Sequence, residues 1–197
     1  MNFRERLVLR TELLLKPLLI TGEATQVGPT SDIRYLTPKP NYASALQHIF
    51  LAPIEEVADT NPMGEITSIG SPIEKLIPVA YVSFDGGRND GGADASINHL
   101  VETLAITIDV VLSNKIGVRD GNRVRPMVLQ MSDMLADIQK QVTFANLESA
   151  VHLSGDDVTL QEVYLEEWGY NEILLGGSIE VLNMRFECAV GAPHGGG

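Results

Sequence analysis

The alternation of apolar and polar residues is clearest in the second half of the chain, where it predicts an antiparallel sheet. From Leu104 to Leu112 every second residue is apolar, while Thr107 and Asp109 fall on the opposite face, which is typical of a half-buried strand. Residues 79–84 and 158–165 are rich in β-branched and aromatic side chains and predict two further strands. The last predicted strand, 179–190, is the most regular, and its apolar face consists of Leu182, Met184, Phe186, Cys188 and Val190.

Helical spacing appears in two segments. Residues 3–15 carry a loose apolar stripe, interrupted by Thr11, and Pro17 predicts the end of this helix near Lys16. Residues 124–142 carry apolar side chains at steps of three and four, which predicts a long helix with a proline in its first turn. The stripe expected to face the sheet consists of Val128, Met131, Leu135 and Ile138. The element order predicts an α+β fold, a small antiparallel sheet with helices packed on one face.

Three segments show neither the alternation of a strand nor the three-to-four-residue spacing of a helix. Residues 21–78 hold seven of the ten prolines, which predicts an N-terminal Pro-rich arm or insertion with a short helix over 42–51. Residues 85–98 hold four glycines among acids and amides and predict a mobile loop. The chain is therefore divided into an N-terminal helix of the domain (1–20), an extended arm or insertion (21–76), an α+β core (77–191) and a disordered tail (192–197).

Composition and charge narrow the class of protein. The 197 residues suit one domain, and 44% hydrophobic with 20% charged residues is ordinary for a globular chain. The net charge of −12 argues against general binding to nucleic acid or to an anionic membrane. One cysteine forms no intrachain disulfide, and no apolar run is long enough to span a bilayer. These features predict a soluble, reduced, intracellular protein.

Residues that signal catalysis are missing from the sequence. It contains neither a Walker loop nor a G-x-G-x-x-G motif, and no two of its four histidines stand three or four residues apart. Cys188 falls on the apolar face of a strand, which indicates a core residue rather than a nucleophile. We therefore predict no enzymatic activity, no metal and no cofactor.

Other residues are candidates for contacts with a neighbouring subunit or another protein. The glycine-rich loop is solvated by composition, and Trp168 and Tyr170 stand beside glycine and acids, as aromatic residues at interfaces often do. The alternative interpretation is that these two aromatic residues lie at the end of a hairpin and have no role in binding. The predicted interface consists of Asp85, Gly86, Gly87, Arg88, Asn89, Asp90, Trp168 and Tyr170.

Residues 77–191 resemble the tail terminator, or tail completion, proteins of long-tailed bacteriophages. The resemblance is carried by "IPVAYVSFDGG", the acidic glycine-rich loop, "LAITIDVVLSN", "PMVLQMSDMLADIQKQV", "VTLQEVYLEEW" and "GGSIEVLNMRFECAV" in that order, together with the N-terminal helix. It is a pattern of elements rather than a signature motif. The Pro-rich segment 21–78 departs from it, being longer than expected for a minimal member.

The resemblance implies a structural virion protein at the tail–neck junction, assembled in the host cytoplasm. Members form a six-fold ring that caps the tail tube, ends its polymerisation and joins the tail to the head connector. The implied partners are copies of itself, the tail-tube protein, a connector or neck protein and, through the Pro-rich segment, a sheath protein. DNA passes through the lumen without sequence-specific binding, and an acidic wall would let it slide. The alternatives are another neck protein, for head completion or head–tail joining, and a small non-viral ligand-binding domain or enzyme.

Overall fold

The computed structural model describes residues 2–20, 25–26, 34–54, 58–60, 66–69, 77–89, 102–120, 123–151, 159–173 and 179–191. Within them the helices are α1 (Phe3–Leu15), α2 (Met131–Gln141) and α3 (Phe144–Val151). The strands are β1 (Thr25–Gln26), β2 (Arg34–Leu36), β3 (His48–Phe50), β4 (Ala58–Thr60), β5 (Ile66–Ile69), β6 (Val79–Asn89), β7 (Glu102–Ser113), β8 (Ile116–Asp120), β9 (Arg123–Pro126), β10 (Thr159–Ile173) and β11 (Ile179–Gly191). The α+β class predicted from the sequence is confirmed.

The main sheet has five strands in the order β10-β11-β7-β6-β3. Its first four strands are antiparallel to their neighbours, and the short β3 runs parallel to β6. A smaller sheet has the order β1-β2-β8-β9, and β4 with β5 forms a separate hairpin that lies near β10. The sheet predicted from the alternating pattern therefore exists, with a second sheet beside it.

The helices cover one face of the main sheet. α1 packs against α3 and β6, α3 also contacts β10, and α2 contacts β11. Phe84, Ile106 and Phe186 stand side by side across three strands, and the guanidinium of Arg4 in α1 lies 5.6 Å from the centre of the Phe84 ring. The predicted apolar faces of β7 and β11 are buried on this side of the sheet. The prediction that helices pack on this face is confirmed.

Helix α1 begins and ends where the sequence predicts. The Asn2 side chain accepts a hydrogen bond from the Glu5 amide at 2.8 Å, and the Glu5 carboxylate accepts one from the Asn2 amide at 3.0 Å. The helix ends before Pro17, where a short 3-10 turn follows. Thr11, which interrupts the apolar stripe, is fully buried, and its hydroxyl donates to the carbonyl of Leu7 at 2.9 Å. Its polar group therefore needs no partner outside the helix.

The long helix predicted over 124–142 is wrong in its first part. Residues 123–126 form β9, residues 127–130 form a 3-10 turn, and α2 begins at Met131. Pro126 has an extended backbone (ψ 141°) and ends β9, an edge strand, where a missing amide proton is tolerated. β9 lies so close to β8 that a Cβ on Gly117 would stand 2.8 Å from the carbonyl oxygen of Arg125.

The face that α2 buries agrees with the prediction at Ile138, while the rest of the predicted stripe, Val128 included, packs against the core only in part. Met134, Asp137 and Ile138 are its buried residues, whereas Met131 and Leu135 are only partly buried against the core. The Asp137 carboxylate accepts hydrogen bonds from the amides of Ala43 and Ser44, both at 2.9 Å, and from the Ser44 hydroxyl at 2.8 Å. A charged side chain is buried here because each of these donors points at it.

This contact explains why the short helix predicted over 42–51 is wrong. With Ala43 and Ser44 held by Asp137 of α2, the chain continues through a bridge between Leu46 and Leu19 into β3 beside β6. Part of the segment predicted as an arm therefore belongs to the core, to which it contributes Leu36, Ala45, Leu46 and Ile54.

We predict that Phe186→Ala destabilises the protein by about 3–5 kcal/mol, because a fully buried ring is replaced by a cavity. Urea unfolding followed by far-UV circular dichroism measures the change. Leu129→Ala is the control, because that side chain is exposed and its loss should cost little. Near wild-type stability of Phe186→Ala would show that the core face is misassigned.

We also predict that Asp137→Ala costs at least about 2 kcal/mol, because it leaves the buried amide and hydroxyl donors of Ser44 without an acceptor. Asp133→Ala, one turn earlier, removes a surface ion pair with Arg125 at 3.7 Å and should cost about 0–1 kcal/mol. Chemical unfolding of both variants provides the comparison. Equal stabilities would contradict the role assigned to Asp137.

Candidate interaction surfaces

The first candidate surface is strand β10 with its exposed aromatic side chains. β10 pairs with β11 on one side, and among the described strands none pairs with it on the other. Trp168 and Tyr170 are 54% and 62% exposed. They lie opposite Met184 and Leu182 in register, so they project from the helix-covered face of the sheet. Both residues lie within β10 rather than at a hairpin end; their role at an interface stays a prediction.

The second candidate surface is the outer edge of β6. The prediction that 85–98 is a loop is wrong for residues 85–89, which continue β6 and pair with β7 again from Gly87 onward. Asp90 and the rest of that predicted loop lie outside the described residues. The strand continues because a bulge between Phe84 and Gly87 takes up the irregularity, with Gly86 at φ +98°. A Cβ on Gly87 would stand 2.9 Å from the side chain of Leu104, so this position also favours glycine.

A groove runs along this edge of β6. β3 pairs only with residues 79–81 of β6, and no other described strand borders the edge of β6 beyond them. The groove beside it has a volume of about 490 Å³ and lies between α1, the segment after β3 and β6. Its apolar lining consists of Val8, Leu9, Leu51, Ala52, Pro53, Val82 and Phe84, and Arg4 and Glu5 contribute charged groups. An apolar groove beside an open strand edge can accept an extended segment.

The helix-free face of the sheet carries linked polar side chains. Arg185 of β11 donates from Nε to Glu166 of β10 at 2.7 Å and forms an ion pair with Asp85 of β6. One row away, the Asn183 amide donates to Asp109 at 2.6 Å. Arg185 thus links both outer strands across the central pair. Because these ion pairs are partly exposed, they contribute little stability but fix where the Asp85 and Glu166 carboxylates stand.

Chemically reactive arrangements are not found in the part of the chain that is described. Burial, with a contribution from Glu187, raises the pKa of the Cys188 thiol to about 12, so the reactive thiolate is not formed near neutral pH. No cluster of three or more histidine, cysteine or acidic side chains in the described ranges could hold a metal ion. None of the described helices is long and apolar enough to cross a membrane.

The structure separates the predicted interface residues. Asp85, Gly86, Gly87, Arg88 and Asn89 lie on β6, whereas Trp168 and Tyr170 lie on β10 at the opposite edge, with β7 and β11 between them. Sequence reasoning missed the groove, because its lining comes from three segments far apart in the chain. The apolar residues 51–53 alone do not mark it, because the exposure of Leu51 follows from the fold.

The similarity of this chain to known proteins is slight. Neither the known family models nor the curated proteins include a match to this sequence. Among solved structures, a chain of a particle described as "Virion of native gene transfer agent (GTA) particle" is similar over 73% of this chain and 78% of its own. The identity is 11% and the TM-score 0.38, a likeness too small to establish a shared fold or function.

Because Trp168 is the single tryptophan of the chain, its fluorescence reports the solvent exposure of the β10 surface. We predict that acrylamide quenches the fluorescence of Trp168 in the isolated subunit almost as well as that of an unstructured tryptophan peptide, because half of the side chain is exposed. Emission should shift to the blue when this surface becomes covered. Strong protection from quenching in a subunit shown to be monomeric would mean that β10 is not open.

Proposed function

We propose that this chain is a non-catalytic structural subunit of a phage-like virion. It forms a six-fold ring on the end of the tail tube, ends the polymerisation of the tube and joins the tail to the head connector. The observation that carries the proposal is the order of elements after Ile77, which resembles the tail terminator proteins. Strands β6 and β7, helix α2 and strands β10 and β11 follow in that order and build one antiparallel sheet with helices on one face.

The two candidate surfaces support assembly into a ring. A closed ring uses head-to-tail contacts, in which one patch of a subunit meets a different patch of the next. The β10 edge and the β6 edge are two such patches at opposite ends of the main sheet. Exposed tryptophan and tyrosine, as on β10, are the residue types that interfaces favour.

The charge of the chain suits a channel for DNA. Each subunit carries a net charge of −12, so a ring of subunits presents a strongly acidic surface. An acidic wall repels the phosphate backbone and leaves DNA free to slide, whereas a basic wall would bind it. Apolar burial between subunits provides the driving force for assembly, and the acidic groups remain solvated at the lumen.

Termination of the tube follows from asymmetry between the two faces of the ring. One face copies the contacts of an incoming tube ring and docks on the tube end. The opposite face lacks the self-complementary surface of the tube protein, so growth stops and the connector meets a new surface.

Deletion of the gene in the parent phage tests this function. Phage lacking the protein should make tails of irregular or excessive length that do not join filled heads, as seen by negative-stain electron microscopy. Supplying the wild-type gene, or the surface control Leu129→Glu, should restore normal particles. Tails of normal length joined normally to heads would refute the proposal, and tails of normal length left unjoined would favour another neck protein.

A further inference from the structure

Among the described strands, none pairs with the outer edge of β10 or with the edge of β6 beyond β3. We propose that strand β10 of one subunit pairs antiparallel with the β6 edge of the next subunit, beyond β3, and that its Trp168 enters the groove beside α1. This inference rests on the proposed ring and names the contact that closes it. The occupant of the groove is thus a second copy of this chain.

Strand direction permits this pairing. β10 and β6 run in opposite directions within the main sheet, because three antiparallel pairings separate them. Rotation about a ring axis that runs along the strands preserves the direction of every strand. The β10 of a neighbouring subunit therefore meets β6 antiparallel, and the sheets of successive subunits form one continuous sheet around the ring.

The side chains meet on the correct face. A strand added to a sheet keeps the alternation of side chains, so residues on one face continue that face in the next subunit. Trp168 and Tyr170 project from the helix-covered face, and the groove lies on that same face between α1 and β6. The exposed aromatic side chains of one subunit thus meet the apolar lining of Leu9, Leu51 and Pro53 in the next.

The charges of the two edges disfavour pairing of like edges. β10 contains four glutamates and no basic residue. The groove is lined by one charge of each sign, Arg4 and Glu5, and Arg4 forms an ion pair with Glu102 of β7. The groove lining therefore repels an arriving β10 less than a second β10 would, because two β10 strands side by side would bring their glutamates together. This difference disfavours pairing of β10 with β10.

The lengths of the two strand edges allow β10 to pair with β6. β10 spans 15 residues, and residues 82–89 of β6 extend past β3. Edges of this length are normally covered in monomeric proteins because their amide and carbonyl groups attract other strands. The bulge at residues 85–86 interrupts the pairing of β6 with β7, and the groove lies beside the outer edge of β6.

Two edge variants and one control test the pairing. Trp168→Glu damages the β10 edge and Leu51→Glu damages the groove, while Leu129→Glu adds the same charge at an exposed apolar residue away from both. Native mass spectrometry and light scattering measure assembly over a concentration series, and circular dichroism checks folding. We expect wild type and Leu129→Glu to assemble alike, and each edge variant to associate at least about tenfold more weakly, as loss of an anchor residue implies.

Mixing the two edge variants gives the sharpest result. Each variant keeps one intact edge, so an equimolar mixture should form a one-to-one heterodimer with the mass of two subunits and nothing larger. Rings that form normally in both variants, or complete rings in the mixture, would overturn the pairing while leaving the ring itself and the proposed function standing. A wild-type chain that stays monomeric, alone and with isolated tail tubes, would also overturn the pairing, whereas the deletion phenotype tests the tail-end function separately.

Discussion

The pairing of β7 with β11 is the contact on which the rest of the structure depends. Their register runs without interruption from Ser113 opposite Ile179 to Glu102 opposite Val190. The helix-covered side of both strands is almost wholly buried, so the pair forms the centre of the hydrophobic core. The irregularities lie outside it, since the bulges occur between β6 and β7 and between β10 and β11. The central pair is therefore regular, and the irregular pairings belong to β6 and β10, the strands that carry the two candidate surfaces.

The open edge of β6 has a traceable cause in the packing of α2. Asp137 holds residues 43 and 44, which sets where β3 enters beside β6. β3 ends at Phe50, and Pro53 shortly after it cannot donate a ladder hydrogen bond. The result is a short β3 that covers only the first part of β6 and leaves a groove beyond it. The buried carboxylate of Asp137 thus holds the chain shortly before β3, and β3 ends before it covers the whole edge of β6.

The sequence predicted the elements whose signal is local. The period-two faces of β7 and β11 follow from alternation, α1 follows from its apolar stripe and its end from Pro17, and all appear in the structure. The failures lie where a distant partner decides the conformation. Residues 42–51 are predicted as a short helix, but Asp137 binds Ser44 and β6 pairs with residues 48–50. Residues 124–126 fit a helical stripe, yet pairing with β8 makes them a strand.

The two candidate surfaces also differ in how far the sequence predicts them. Trp168 and Tyr170 are conspicuous in the sequence and prove to be exposed, although nothing local showed that β10 extends through them. The groove was not predictable, because α1, residues 51–53 and residues 82–84 come together only through the fold. A surface formed by one strand can be predicted from the sequence of that strand. A surface formed between elements can be described only when the packing of those elements is known.

Electron microscopy of the purified protein, alone and with isolated tail tubes, is the sharpest test of ring formation at the tube end. We expect closed six-fold rings with a central opening wide enough for DNA, seated singly on tube ends when tubes are present. Particles that are never ring-shaped under either condition, or rings that stack into continuing tubes, would contradict it.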